Sequence, residues 1–326
     1  MTLRSTFLVL AAAALPLAAQ PLAAQTPAAP APAAAAEPAS CKAVRFSDVG
    51  WTDITATTAL ATTVLGALGY QPEVKVLSVP VTFSALSTDD LDVFLGYWHP
   101  SMEADLKPYT DSKTVDTVRT NLTGAKYTLT TNKAGADLGI TDFAAIAAYK
   151  DQLAGKIYGI EPGNDGNRLL LDMVAQDKFG LGTFEIVESS EQGMLAQVAR
   201  ADASGEPVVF LGWEPHPMNT QFALTYLAGG DDIFGPNLGG AEVRTTTRAG
   251  YVTECPNVGR FLQNLEFTLE MENEIMGAIL NDAAEPAKAA ETWLRAHPDT
   301  AKAWVAGVTT ADGGDAVAAL SDKLGD

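Results

Sequence analysis

Three tryptophans of this chain occupy positions that suit ligand recognition. Trp51, Trp98 and Trp213 each follow an apolar, strand-like run and precede turn or helix residues, whereas a core tryptophan more often lies within such a run. Aromatic faces carry negative electrostatic potential, so several rings around one cavity attract a cation, above all a quaternary ammonium group. Packing in separate cores is the alternative, and it is the one we expect for Trp293 and Trp304 on the C-terminal helices.

The segments around two of these tryptophans resemble each other. Residues 93–100 read VFLGYWHP and residues 209–217 read VFLGWEPHP, so each has an apolar run followed by glycine, an aromatic residue and His-Pro. Ligands of open α/β sheets bind outside the carboxyl ends of the strands. The repetition therefore favours two strands that each present a tryptophan at such an end. Two unrelated strands that end in similar turns are the alternative.

Motifs of catalysis are missing from the sequence. There is no Gly-Lys-Ser/Thr phosphate loop, no Gly-x-Ser-x-Gly elbow and no His-Glu-x-x-His motif. His99, His216 and His297 lack metal-ligand spacing and are expected to be ordinary structural histidines. Residues 162–167, PGNDGN, suit either a simple turn or a helix start that offers backbone N–H groups. We therefore predict no catalytic residue, no metal ion and no cofactor.

Strand-like and helix-like segments alternate up to residue 212, which indicates an α/β fold with mainly parallel strands. Strands are predicted at 42–49, 74–79, 91–96, 156–161, 184–188 and 207–212. Helices are predicted at 52–68, 83–90, 141–153, from 167 onward, at 191–202, 271–281 and 286–305. A loop rich in Asn and Thr is expected between the third strand and the helix at 141–153.

The N-terminal 40 residues are predicted to lie outside the fold. Residues 1–25 have the features of an export signal, with Arg4 ahead of a short apolar run and small residues after it. The run is shorter than the roughly 20 apolar residues that a membrane span needs. Residues 26–40 are rich in proline and alanine, which is typical of an extended linker. We therefore expect a periplasmic protein with a cleaved signal.

The chain is strongly acidic. Its 326 residues include 21 Lys and Arg against 40 Asp and Glu, a formal net charge of −19. Nucleic acids and anionic lipid surfaces favour basic patches, so nucleic acid is not an expected partner. The charge suits a neutral or cationic ligand, although solubility alone would also explain it.

The two cysteines, Cys41 and Cys255, lie far apart in the sequence. In an exported protein they most simply form one disulfide. The alternative is that Cys41 carries a lipid anchor, but Pro38 and the distance from the apolar run disfavour it.

Seven segments, in order along the chain, resemble a known family. They are RFSDVGWTDI at 45–54, DVFLGYWHP at 92–100, GAKYTL at 124–129, IYGIEPGNDGNR at 157–168, ESSEQGMLAQVAR at 188–200, VFLGWEPHPMN at 209–219 and AGYVTECPNV at 249–258. The family comprises the substrate-binding proteins of ABC importers for glycine betaine, proline betaine and choline. The resemblance is strongest to its choline-binding members, and the C-terminal helices follow it only loosely.

The resemblance implies a two-lobed, type II periplasmic-binding-protein fold with a ligand cleft between the lobes. Lobe I would comprise residues 41–125 and 230–326, and lobe II residues 126–229. An aromatic box would form from four rings, two from each lobe: Trp51, Trp98, Tyr127 and Trp213. Asp53 would face the ligand's cation, Asn164 would bind its hydroxyl end, and the Cys41–Cys255 pairing matches the family's disulfide.

The function implied is capture of choline by hinge closure, for delivery to an ABC permease with a cytoplasmic ATPase. A monomer is expected. Asp53 favours choline, because a carboxylate attracts its net positive charge and opposes the carboxylate of a betaine. The alternatives are a glycine betaine or proline betaine binder, a chemoreceptor-coupled sensor, and an enzyme that uses His99 or His216 on choline-like substrates.

Overall fold

The structure, a computed structural model, describes residue 2 and residues 37–325. The predicted signal, apart from residue 2, and residues 26–36 of the predicted linker lie outside the described residues. Within the described part of the chain, each helix is too short or too polar to cross a bilayer.

Nine strands form one sheet in the described residues. In chain order they are β1 (Ala43–Asp48), β2 (Gln71–Val76), β3 (Val93–His99), β4 (Val115–Thr131), β5 (Lys156–Tyr158), β6 (Glu185–Val187), β7 (Val209–Glu214), β8 (Thr225–Tyr226) and β9 (Gly240–Arg248). Their order across the sheet is β2-β1-β3-β9-β4-β7-β5-β6, with β8 paired to β4.

The sheet has two halves that share one long strand. Strand β1 is parallel to β2 and β3, and β9 is antiparallel to β3, which gives the first half. Strand β5 is parallel to β6 and β7, which gives the second half. The early part of β4 pairs with β9, and its late part pairs with β7. The chain therefore runs from the first half into the second along β4, and returns ahead of β9.

The described residues also form sixteen α-helices. They are α1 (Thr52–Ala67), α2 (Val79–Ser87), α3 (Glu103–Asp111), α4 (Lys133–Leu138), α5 (Phe143–Ile146), α6 (Asp165–Ala175), α7 (Glu191–Ser204), α8 (Met218–Gln221), α9 (Asp231–Phe234), α10 (Pro236–Gly239), α11 (Tyr251–Glu254), α12 (Pro256–Asn264), α13 (Leu269–Leu280), α14 (Pro286–Ala296), α15 (Pro298–Trp304) and α16 (Ala316–Leu324). Side chains of Asn132, Asp142, Asn164, Ser190 and Thr268 cap helix starts, as these residue types commonly do.

The α/β class is as predicted, but the middle of the chain differs from the expectation. The predicted loop contains α3 and the 17-residue strand β4. Because β4 and β9 are both antiparallel to their neighbours, the sheet is mixed rather than mainly parallel. The predicted helix at 286–305 is two helices, since Pro298 begins a new helix directly after His297.

The predicted disulfide is present between Cys41 and Cys255. Cys41 ends a short 3₁₀ helix ahead of β1, and Cys255 lies between α11 and α12. Nearby, Glu37 accepts a hydrogen bond from the Asn257 backbone N–H at 2.9 Å. The folded part therefore begins a few residues earlier than the linker prediction implies.

Candidate ligand-binding site

One small cavity, of about 10 Å³, lies between the two halves of the sheet. It is lined by Trp51, Asp53, Trp98, Tyr127, Ile160 and Trp213. All four rings of the predicted aromatic box and the predicted carboxyl group are thus brought together. Ile160 was not predicted, because an aliphatic residue after a strand does not differ in sequence from an ordinary core residue.

The first half of the sheet supplies two of the rings. Trp51 follows β1 and is the residue before α1, and Trp98 lies near the end of β3. Gly96 lets helix and strand approach, since a Cβ there would lie 2.7 Å from Ile54 Cδ1. This approach places Asp53, in the first turn of α1, against Trp98, whose Nε1 donates to Asp53 Oδ2 at 3.1 Å.

The second half supplies the other two rings as a cross-strand pair. Tyr127 on β4 lies directly opposite Trp213 on β7, so both side chains are on the same face of the sheet. Their ring centroids are 6.3 Å apart and nearly perpendicular, and Tyr127 is 5.9 Å from Trp98. Each ring of the aromatic box is at most 5% exposed. Trp98, Tyr127 and Trp213 therefore form one contiguous wall, and Trp51 lines the same cavity.

Asp53 gives the cavity its polar character. Its side chain is almost completely buried, and Oδ1 has no hydrogen-bond partner among the described residues. Burial, and secondarily the nearby Glu191 carboxyl group, raise the pKa of Asp53 to about 8. A cation in the cavity would stabilise the ionised form of this buried carboxyl group.

Further carboxyl groups surround the cavity. Glu161 accepts a hydrogen bond from Trp51 Nε1 at 2.7 Å, and burial raises its pKa to about 7. Burial also raises the pKa of Asp165 to about 6, and that of Glu272 well above its usual range, with a smaller contribution from Asp53. The electrostatic environment therefore favours a positively charged ligand over an anion.

Asn164 is the one predicted ligand-binding residue outside the cavity lining. It is the N-cap of α6, and its Oδ1 accepts from the Asn167 backbone N–H at 2.9 Å and from Tyr127 Oη at 3.2 Å. In the structure Asn164 therefore contacts the hydroxyl group of Tyr127 and does not line the cavity itself. Contact with a ligand hydroxyl stays a prediction.

The two histidines of the repeated segments differ in environment. His99 is partly exposed, and its Nδ1 lies 3.2 Å from Tyr97 Oη. His216 is buried, and its Nε2 lies 3.1 Å from Glu191 Oε1. Among the described residues, one cluster has metal-ligand geometry, Glu37 with Cys41 and Cys255, but its two sulfurs form the disulfide.

Known structures with this fold define the class of protein. A structure described as an ABC-transporter choline-binding protein in complex with choline is 67% identical, with a TM-score of 0.88 over 89% of this chain and 100% of the other. The same kind of protein in an unliganded, semi-closed conformation is also 67% identical, with a TM-score of 0.82 over 88% and 100%. The fold is that of the two-lobed substrate-binding proteins of ABC importers.

A family model identifies the chain more closely. The model described as the substrate binding domain of ABC-type glycine betaine transport systems matches residues 42–296, and the chain belongs to this family. The Listeria monocytogenes glycine betaine/carnitine transport binding protein is 30% identical over 130 residues, 40% of this chain and 42% of that protein. An uncharacterised protein of Chromohalobacter salexigens is 48% identical over 105 residues, 32% of this chain and 68% of that protein.

Proposed function

We propose that this substrate-binding protein captures choline in the aromatic box. The observation that carries the proposal is the convergence of four aromatic rings and an unpartnered Asp53 oxygen on one cavity. Each aromatic face contributes about 1–2 kcal/mol to binding of a desolvated cation. The trimethylammonium group of choline would lie among the rings, because it needs no hydrogen-bond acceptor.

Asp53 favours choline over a betaine. Choline carries one positive charge and a neutral hydroxyl, so the carboxylate attracts the whole ligand. A betaine also carries a carboxylate, which Asp53 and Glu161 would oppose in their ionised forms, and a bound cation favours those forms. The 67% identity to a protein solved with choline agrees with this choice.

Glycine betaine is the second candidate. The family model and the Listeria relative are both described by glycine betaine transport. A betaine also has a trimethylammonium group, which the same four rings would accept. The lining residues have no Lys or Arg to pair with its carboxylate, which is why choline ranks first.

We infer that the ligand is enclosed when the two halves close like a hinge. The rings come from both halves, so the aromatic box is complete only when the halves meet. Their near-complete burial and the higher TM-score to the choline-bound relative than to its semi-closed form support a closed conformation here. β4 and the segment ahead of β9 would act as the hinge. Lobe I would comprise residues 41–125 and 230–326, and lobe II residues 126–229.

Delivery of choline to an ABC permease in the membrane would follow, and the binding protein itself would not be an enzyme. The family supports this role, because its members serve ABC-type transport systems. The export signal predicted at 1–25 supports a periplasmic location for the mature protein.

Replacement of one ring tests the proposal. Trp213→Leu keeps an apolar side chain but removes the aromatic face, and we expect choline to bind at least tenfold more weakly in calorimetry. Trp293→Leu is the matched control, because Trp293 lies on α14, away from the cavity lining. Equal choline affinity in the wild type and Trp213→Leu would refute the aromatic box, and tighter binding of betaine than choline would favour the second candidate.

A further inference from the structure

Glu191 lies outside the cavity lining but links its two sides. It is the first residue of α7, the helix between β6 and β7 of the second half of the sheet, and its side chain is fully buried. Its Oε2 accepts from the Thr52 backbone N–H at 2.8 Å, and its Oε1 accepts from Thr52 Oγ1 at 2.6 Å. Since Thr52 begins α1 beside the first half of the sheet, Glu191 reaches across the interface between the halves.

His216 provides the third contact of this carboxyl group. Its Nδ1 accepts a hydrogen bond from the Met218 backbone N–H at 2.9 Å, so the ring hydrogen is on Nε2. Nε2 therefore donates to Glu191 Oε1, at 3.1 Å. The His216 ring also packs edge-on against Trp213, with centroids 4.9 Å apart. Thr52, Glu191 and His216 form what we call the Glu191 cluster.

Glu191 also completes the start of α1. Trp51 precedes that helix, and its side chain offers no oxygen to cap the first backbone N–H groups. The Glu191 carboxylate takes this place from the other half, and its negative charge faces the positive end of the helix dipole. Thr52 lies between Trp51 and Asp53, so the bond holds the turn that carries two cavity-lining residues.

We propose that Glu191 is a positioning residue that holds the closed aromatic box together by fixing the first turn of α1 from one side and His216, with Trp213, from the other. The inference rests on the proposed function and adds a residue that does not contact the ligand. The bonds to Thr52 exist only when the halves are together. Loss of Glu191 would therefore speed ligand release more than it slows capture.

Glu191→Gln tests the proposal. The side chain keeps its size, but one of its two oxygens becomes an NH₂ group, which cannot accept a hydrogen bond. Thr52 N–H and His216 Nε2–H donate to different oxygens of Glu191, so one of these two donors then faces the NH₂ group. A donor left unpaired in a buried site weakens the closed state. We expect the choline dissociation rate, measured by stopped-flow tryptophan fluorescence, to rise about tenfold or more, with an association rate within about threefold of wild type. Trp51 with Glu161, and Arg168 with Asp105, still link the halves, so the variant retains the ability to close.

The control is Glu185→Gln, which makes the same change of charge at an exposed residue of β6. Its rates should equal those of the wild type. Thermal unfolding without ligand separates positioning from a structural role. In the open protein Glu191 and Thr52 are hydrated, so Glu191→Gln should leave the ligand-free unfolding temperature within about 2 °C of wild type.

Two Thr52 variants test the same contact from the other side. Thr52→Ser keeps the hydroxyl and should retain the slow dissociation of choline, whereas Thr52→Val loses it and should release choline faster. An unchanged dissociation rate in Glu191→Gln and Thr52→Val overturns the proposal. So does a fall in ligand-free stability without a change in rate. If the wild type binds no choline at all, the proposed function fails at that first measurement, before any variant is compared.

Discussion

Asp53 brings a carboxyl group to a cavity whose other lining residues are aromatic or aliphatic. Its raised pKa has a defined cause: the group is buried, and the nearby Glu191 carboxyl group adds a smaller effect in the same direction. Near neutral pH the protein alone therefore favours a proton on Asp53. A bound cation favours the ionised form, so cation and proton compete for the same group.

The affinity for choline should consequently depend on pH. Because binding releases the Asp53 proton, we expect the affinity to rise by up to about tenfold per pH unit between pH 6 and 8, and to level off above about 8. Calorimetry in two buffers with different ionisation enthalpies would detect the released proton directly. Glu161, whose pKa is raised to about 7, contributes in the same direction.

The matched variant for this prediction is Asp53→Asn, which removes the titrating group. Its choline affinity should be lower at pH 8 and should vary less between pH 6 and 8. The stability of the ligand-free protein should fall, not rise, as the pH increases from about 4 towards 8. The reason is that the folded state holds the Asp53 proton more tightly than the unfolded chain does, and this advantage is lost as the group ionises. Choline binding without proton release at pH 7 would show that Asp53 is already ionised.

Among the secondary-structure elements, α6 determines where the Tyr127 ring lies. Gly166 is the second residue of α6, and a Cβ there would lie 2.0 Å from Tyr127 Oη and 2.9 Å from Leu211 Cδ1. Alanine is a better helix former than glycine by about 1 kcal/mol. Here the phenol group of Tyr127 occupies the space that a Cβ at residue 166 would fill, so this position requires glycine although glycine is the poorer helix former.

Gly166→Ala should therefore weaken choline binding at least tenfold, because the new methyl group displaces Tyr127 from the aromatic box. Gly277→Ala in α13 is the control, since a Cβ there meets only Asn281 Nδ2, at 3.9 Å. That variant should raise the free energy of unfolding by about 0.5–1 kcal/mol and bind choline as the wild type does. If Gly166→Ala keeps the wild-type affinity, the Tyr127 ring is not held by α6.

Most elements with a strong local signal could be predicted from the sequence. Helices α1 and α7 and strands β1, β3 and β7 lie within a few residues of the predicted ranges. The strand β4 was missed because it is rich in polar residues, and it is held by pairing of its early part with β9 and of its late part with β7. Such pairing depends on distant residues such as β9, which no local pattern reveals.

The same distinction applies to the site. Tryptophans at strand ends gave a local signal, and the family resemblance added Asp53 and Tyr127. Glu191 and His216 had no such signal, because their pairing joins residues 52, 191 and 216 through the tertiary fold. Glu191 is one of many acidic residues at a helix start, where such residues are common for electrostatic reasons.

For the molecule as a whole, the disulfide and the aromatic box lie in different regions. Cys41 precedes β1 and Cys255 follows β9, so the bond joins two segments beside the first half of the sheet and does not cross to the second. Closure around a ligand, in contrast, brings the two halves together. Global stability and ligand affinity should therefore respond separately to changes at these two places.

Replacement of both cysteines tests this separation. In Cys41→Ala/Cys255→Ala the unfolded chain gains entropy, because the bond closes a loop across a sequence separation of 214 residues. We expect the free energy of unfolding in urea to fall by about 2–5 kcal/mol. The choline affinity of the folded fraction should change less than twofold, since the cysteines do not line the cavity. A parallel loss of affinity would mean that the disulfide also holds α1 in the position that the aromatic box requires.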